Sequence, residues 1–364
     1  MRLGDLSLKA EDNNFTLVRL ILASAVIYTH SYWLVLGVSE KDDLSGLLGA
    51  TVSTFAVDGF FFLSGFLVYP SLLRLGAAGR FLVARGARLW PGLIVSILAT
   101  VAGGAFVTTA AGLAYLGGDT TKFVLMNGTF LEGFFNLTGV TWRGGELAPV
   151  NGSLWTLPWE ARCYLGMALL GLLGLTRPAL MKWVVLPLTL AGALVWDVPA
   201  VQHLVASVAG DGLVFKLNLA DRLWPLFALG AGAYAWRDRI PMNWGILALL
   251  FLLMLGANRL GLGLHARALF VGYLVLCCGL LTARKFRISG RWPDYSYGMY
   301  IYAFPVMMVV QGVAHFKTYP ALALANFAAT LPLAALSWHF VEKPVLDAFK
   351  RRRAPAPEAK VQAA

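Results

Sequence analysis

Five apolar stretches, at residues 15–36, 48–69, 90–109, 154–175 and 297–310, leave this chain little choice of environment. At about 1.5 Å of rise per residue, runs of this kind match a hydrocarbon core about 30 Å thick. Backbone groups in lipid find no water, so they must close their hydrogen bonds inside helices. Composition agrees: the chain is 58% hydrophobic and only 13% charged, with a mean hydropathy of +0.68. A soluble domain is nearer a quarter charged. The first stretch is too long for a signal-peptide core, no small-residue cleavage site follows it, and Arg19 interrupts its start, so it reads as a retained helix.

The net charge of +11 does not point to nucleic acid, because the cations sit in short segments between apolar runs rather than on one face. Arg74, Arg80, Arg85 and Arg88 form one cluster, Arg177 and Lys182 a second, Arg237 and Arg239 a third. Arg284, Lys285, Arg287 and Arg291 form a fourth, and Lys350 to Arg353 close the chain. They recur after every second crossing, the pattern expected when basic loops stay on the cytoplasmic side. The expected fold is therefore an all-α integral membrane protein, a bundle of about ten transmembrane helices with both termini cytoplasmic. Residues 1–346 read as one transmembrane domain, and 347–364 as a basic, then Pro/Ala-rich, disordered tail. The three cysteines fall in apolar runs and suit packing better than a disulfide framework or a metal site. Of the two long outer connections, 116–152 and about 197–219, the first mixes Gly, Asn and Thr with aromatics and is expected to fold back on the bundle.

Ionisable groups inside a span cost on the order of 2.5–3.5 kcal/mol on insertion scales, so each needs a reason. His30, Asp58 and Glu160 stand out. His30 lies about 22 Å along its helix from Phe15, Asp58 near mid-depth, and Glu160 about 10 Å past Ser153, which allows all three to share one layer. Arg19 and His30 are eleven residues apart, so they face the same way, with about 16 Å of rise between them. That excludes contact and suits two ends of one long ligand. Each residue also has a structural alternative. Arg19 can snorkel to headgroups, His30 can be a satisfied buried histidine, Asp58 can cap a broken turn, and Glu160 follows the helix-disturbing Pro158. Ser64 reads as a helix-packing residue, and the acids Glu40, Asp42 and Asp43 as a solvated loop.

Seven segments in order resemble the membrane acyltransferase-3 family, integral-membrane O-acylases of bacterial surface polysaccharides. They are the Arg19/His30 pair, "VDGFFFLSGFLVYP", "ARGARLWP", "GSLWTLPWEARCYL", "RLWPLFALGAGAY", "YSYGMYIYAFP" and "SWHFVEKP". The resemblance implies transfer of an acyl group, usually acetyl, from cytoplasmic acyl-CoA to an acceptor hydroxyl at the opposite face of the bacterial inner membrane. It implies His30 as the catalytic histidine, with Asp58 and Glu160 as its acids, and Arg19, Arg85 and Arg88 as donor-handling arginines. Tyr28, Ser153 and Trp155 are the candidates for contacting a glycan or glycolipid acceptor. No metal enters this scheme. Two positions depart from the family pattern: Ala161 stands where many relatives have a second acid, and Phe304 where they often have a histidine.

On this reading Arg85 and Arg88 bind the nucleotide phosphates, and the pantetheine arm runs up the face shared by Arg19 and His30. His30 then acts as general base, with Asp58 or Glu160 orienting it, or carries the acyl group itself. The competing classes are a transporter or flippase using His30, Asp58 and Glu160 as a proton relay, and a polyprenyl-dependent glycosyltransferase using the acids at 40–43.

Overall fold

The computed structural model describes residues 1–39, 41–142, 149–288 and 292–351. Glu40, Arg291 and the tail from 352 onward, on which several expectations rest, lie outside the described residues. Among those described, the chain is helical and carries no strand.

Ten longer helices make the body. They are α1 (Phe15–Leu36), α2 (Val52–Leu75), α3 (Ala78–Gly104), α4 (Thr156–Leu172) and α5 (Pro178–Trp196). The rest are α6 (Asp211–Ala235), α7 (Trp244–Asn258), α8 (Gly263–Arg284), α9 (Ser296–Ala314) and α10 (Tyr319–Arg351). Seven of them, all but α4, α6 and α7, are long and apolar enough to cross a membrane. The other three pack among the seven.

Their ends follow local chemistry. Thr51 caps α2 by accepting from the Thr54 N–H at 3.2 Å. Gly37 stops α1 in the left-handed region, at φ 71°, a conformation that side chains with a Cβ resist. Prolines stand inside helices at Pro70, Pro91, Pro225, Pro305 and Pro332, and the Ile301 carbonyl that Pro305 leaves free accepts from Ser96 at 3.1 Å and Asn151 at 2.8 Å. Pro158 falls in the first turn of α4, where no N–H is needed, so it starts that helix instead of kinking it.

At the centre is α2, packed on α1, α3, α4, α6 and α8, while α1 joins it to α9 and α10. Contact between α2 and α6 depends on two glycines facing each other's backbone. A Cβ on Gly65 would lie 1.9 Å from the Phe227 carbonyl oxygen, and one on Gly230 would lie 2.0 Å from that of Phe62. Small residues let the helices approach this closely without a hydrophobic drive between them. Asp58, fully buried, cross-links the same region: its Oδ1 accepts from Arg222 at 2.8 and 3.0 Å and its Oδ2 from Arg267 at 2.7 Å. One carboxylate thus ties α2 to α6 and α8.

Hydropathy marks the lipid-facing part of a helix rather than its start, and the first basic cluster shows the difference. Arg80, Arg85 and Arg88 belong to the first three turns of α3, not to a loop. Residues 347–351 of the expected tail likewise continue α10, whose Phe349 packs against the core.

The connection from α3 to α4 does fold back. Its helix Gly118–Gly128 runs beside α3, so that the Trp90 indole donates to the Gly128 carbonyl at 2.7 Å. The α4 helix then begins within the bundle, the Thr156 hydroxyl lying 2.8 Å from that of Tyr300 on the second turn of α9.

Candidate active site

Three arginines and an acid that are scattered in the sequence meet on one cavity of about 170 Å³. Arg19, Arg85, Arg88 and Glu160 line it, as do Asp294, Thr156 and Tyr300. The helical spacing that puts Arg85 and Arg88 one turn apart on α3 presents both to the slot, but their environments differ.

Arg88 is fully committed. Its Nη2 donates to Asp294 at 2.7 Å and its Nη1 to Glu342 at 2.9 Å, while the guanidinium lies 5.6 Å from the ring centres of Tyr297 and Trp338. Arg19 shares the same Asp294 oxygen at 3.0 Å. Burial raises the Asp294 carboxyl, but the Arg19 and Arg88 guanidiniums and the Ser296 hydrogen bonds outweigh it and hold it at about 2. Arg85 reaches only the Ser71 hydroxyl, at 3.4 Å, and its Nε is buried without a partner, as is that of Arg19. The Nη1 of Arg85, with no hydrogen bond among the described residues, is the guanidinium group left for an anionic or carbonyl partner.

Asp294 and Glu342 are absent from the sequence reading of the site, although "SWHFVEKP" contains one and "YSYGMYIYAFP" begins just after the other. The available signal was an acid standing alone at an otherwise basic edge. Glu342 arrives by a π-turn, Trp338–Glu342, which aims Trp338 and Glu342 at the one guanidinium.

Glu160 accepts from the Tyr164 hydroxyl one turn along α4 and from the Ser64 hydroxyl at 3.3 Å. Ser64 is therefore a cavity residue, 3.1 Å from Tyr164, and not simply packing between helices. Glu160 thus lines the same cavity as Arg19, Arg85 and Arg88.

His30 is not among the cavity-lining residues. Its ring meets Phe304 edge-on at 5.1 Å between centres, so the position that departs from the family pattern packs directly on it. Phe304 lies one turn, about 6 Å of rise, beyond the cavity residue Tyr300 on α9. Neither expected orienting acid reaches it among the described residues: Asp58 is held by Arg222 and Arg267, and Glu160 by Tyr164 and Ser64.

Of the expected acceptor contacts, the Tyr28 hydroxyl donates to Asp43 at 2.8 Å, and the Tyr319 hydroxyl donates to the same oxygen. Tyr32 packs on Tyr319 at 4.9 Å, which makes a small aromatic group around Asp43. Asp42, far from being solvated, is buried and accepts from Thr29 at 2.9 Å and from the Val52 N–H at 2.7 Å. Ser153 is buried with its hydroxyl unpartnered, and Trp155 packs on the core.

Seven helices able to cross a membrane, around a slot lined by guanidiniums and carboxylates, are the architecture of a multi-pass membrane enzyme or carrier. Residues 12–339 match the family model described as an acyltransferase domain, so the chain belongs to the membrane acyltransferase-3 family and is an acyltransferase. It is similar to "Nodulation protein 10" of Rhizobium leguminosarum bv. viciae, 29% identical with 92% of this chain and 93% of that protein covered. It is also similar to "O-acetyl transferase" of Shigella phage Sf6, 27% identical over 92% of this chain and 96% of the relative. No solved structure matches it significantly.

Proposed function

We propose that the chain moves an acyl group, most simply acetyl, from cytoplasmic acyl-CoA to a hydroxyl of an extracytoplasmic glycan, with His30 as general base. The observation that supports this is the slot itself, which Arg19, Arg85 and Arg88 line together with Tyr300, one turn of α9 before the Phe304 that packs on His30. The phage relative's name supports oxygen as the acceptor atom and acetyl as the group. A surface polysaccharide, O-antigen or lipid-linked repeat unit is the acceptor the family resemblance favours.

The topology that goes with this reading has ten crossings in a bacterial inner membrane, α4, α6 and α7 included. Both termini lie on the basic, cytoplasmic side. The start of the chain supports it: the Leu3 N–H donates to the Ile240 carbonyl at 2.8 Å, beside Arg237 and Arg239.

Three guanidiniums face Asp294, Glu342 and Glu160, so the cluster has little formal excess charge. Donor recognition therefore rests on the uncommitted donors of Arg85, with Arg80 and Arg74 beyond it toward the basic side, rather than on net potential. The thin pantetheine arm suits a narrow slot. Movement of Tyr300 from Thr156 would open the last turn and let the thioester reach His30. There the neutral imidazole takes the proton of the attacking hydroxyl, the oxygen–carbonyl bond forms, the carbon–sulfur bond breaks, and the imidazolium returns the proton to the departing thiolate, which leaves as the CoA thiol. General-base help of this kind contributes roughly 10²–10⁴-fold.

The test is acyl transfer from radiolabelled acetyl-CoA by purified protein in lipid nanodiscs. Wild type is expected to label the glycan and His30→Ala to lose at least about 100-fold while keeping its melting behaviour. Appreciable turnover by that variant would defeat the assignment. Label recovered on His30 after incubation with donor alone would replace direct transfer by an acyl-histidine step.

A further inference from the structure

Asp58 is fully buried, and its one carboxylate answers two guanidiniums. No second carboxylate pairs with Arg222 or Arg267 among the described residues. Asp221, next to Arg222 in the chain, interacts with the Asp197–His265 pair instead. The joint between α2, α6 and α8 therefore holds an excess of one positive charge. One arginine per carboxylate would tie helices together, and surplus charge inside a membrane protein is costly, so the second arginine needs a reason.

Part of each guanidinium is also unused. Arg222 gives Nε and Nη2 to Asp58 and the Thr54 carbonyl, and Arg267 gives Nε to Asp58. That leaves Nη1 of Arg222 and both Nη atoms of Arg267 with no hydrogen bond among the described residues. These groups are not sealed in. The Arg222 side chain is 20% exposed and that of Arg267 10%, and none of the three nitrogens shares the enclosed state of the Arg19 and Arg85 Nε atoms.

Position decides which anion can reach them. Arg267 is four residues past the start of α8 and Asp58 six past that of α2. The cluster thus lies about 6–9 Å inside two helix ends that the proposed topology puts on the outer side. Headgroups occupy about 5–7 Å on each side of the hydrocarbon, so the free N–H groups stand near the level of lipid phosphates. The arginine slot is on the opposite face of α2. Phe60, two residues after Asp58, meets the slot residue Tyr300 at 5.7 Å between ring centres.

We infer that Arg222 and Arg267 form an outer-leaflet site for a lipid phosphate or diphosphate, the anchor of a lipid-linked glycan acceptor. Guanidinium forks match phosphate oxygens through paired, charge-assisted bonds, and the incoming group neutralises the charge that Asp58 leaves over. A glycan anchored there is held beside the slot, on the acceptor's side of the membrane. The inference rests on the proposed transfer to a glycan and selects lipid-linked acceptors within it.

The experiment measures binding of farnesyl diphosphate, farnesol and inorganic pyrophosphate to the full chain in phosphatidylcholine nanodiscs, with CoA present to fill the donor slot. Wild type should bind farnesyl diphosphate at least about ten-fold more tightly than either other probe, the scale of one charge-assisted contact. Arg267→Lys keeps a cation for Asp58 but loses the fork, and should cut that affinity by about ten-fold without melting earlier. Arg85→Ala, in the donor slot, should leave it unchanged. Equal binding of farnesol, or undiminished binding in Arg267→Lys, overturns the site. Pyrophosphate bound as tightly as the lipid diphosphate overturns the lipid assignment. Displacement by phosphatidylglycerol added to the disc overturns the acceptor anchor, by making this an ordinary headgroup site. If Arg267→Lys melts early, the wild-type ranking of the probes and the phosphatidylglycerol arm still decide. The expected ranking without acyl transfer would count against the glycan-acceptor reading alone, and transfer without the ranking against this site alone.

Discussion

Arg85 and Arg88 are one turn apart on α3, and their environments predict opposite consequences of losing them. Removing Arg88 leaves Asp294 and Glu342 buried without their shared cation, a change that costs about 3–5 kcal/mol in comparable buried pairs. Arg88→Ala should therefore be recovered poorly or melt markedly earlier in detergent, whatever its activity. Arg85 is held by one long contact to Ser71, so Arg85→Ala should melt like wild type while its affinity for acyl-CoA falls by about ten-fold or more. Equal stability losses in the two variants, or unchanged donor affinity in the second, would show that the division is wrong.

Asp294 adds a pH prediction. Its carboxyl sits at about 2, below the ordinary value of about 3.9, so ionised Asp294 contributes stability above that ordinary value. The contribution fades as pH falls from about 4 to about 2. The stability difference between wild type and Asp294→Asn should therefore stay flat from pH 5 to 8. A slope across that window in thermal unfolding would contradict the placement of both guanidiniums on this carboxylate.

At the scale of elements, the α2–α6 contact is set by backbone approach. A methyl group on Gly65 or Gly230 would meet a carbonyl oxygen at about half a normal contact distance, and backbone has no rotamer to escape into. Gly65→Ala and Gly230→Ala should each cost more than the ~1–3 kcal/mol typical of overpacking. Gly192→Ala on α5, with nothing within 4 Å of the added carbon, should be neutral. Comparable melting of all three proteins would mean the helices can separate without loss. The Asp58 cluster is the polar version of the same joint. Its spacing in "VDGFFFLSGF" marked an intramembrane acid, but Arg222 and Arg267 are 164 and 209 residues away, and nothing local announces such a pairing.

At the scale of the whole molecule, the proposed topology puts the basic segment after α8 and the turn between α9 and α10 on opposite faces of the membrane. Single cysteines at Lys285 and Lys317 should label from opposite sides of sealed inside-out and right-side-out vesicles with a membrane-impermeant maleimide. Labelling of both from one side would refute the topology.

Much of this was legible without coordinates. Apolar run length and recurring basic clusters determined a helical membrane body, and the spacing of Arg19 and His30 put them on one face, because helix periodicity is a local property of consecutive residues. The seven ordered segments determined the family. The remaining facts depend on packing between distant helices. They include Arg88 clasped by Glu342 from the far end of the chain, Ser64 turned onto Glu160, and Asp58 held by Arg222 and Arg267. Glu160 shares a cavity with the arginines because α4 packs on α3. Such contacts are chosen by which faces fit at close approach, as at Gly65 and Gly230, and that choice exists only once the helices are assembled.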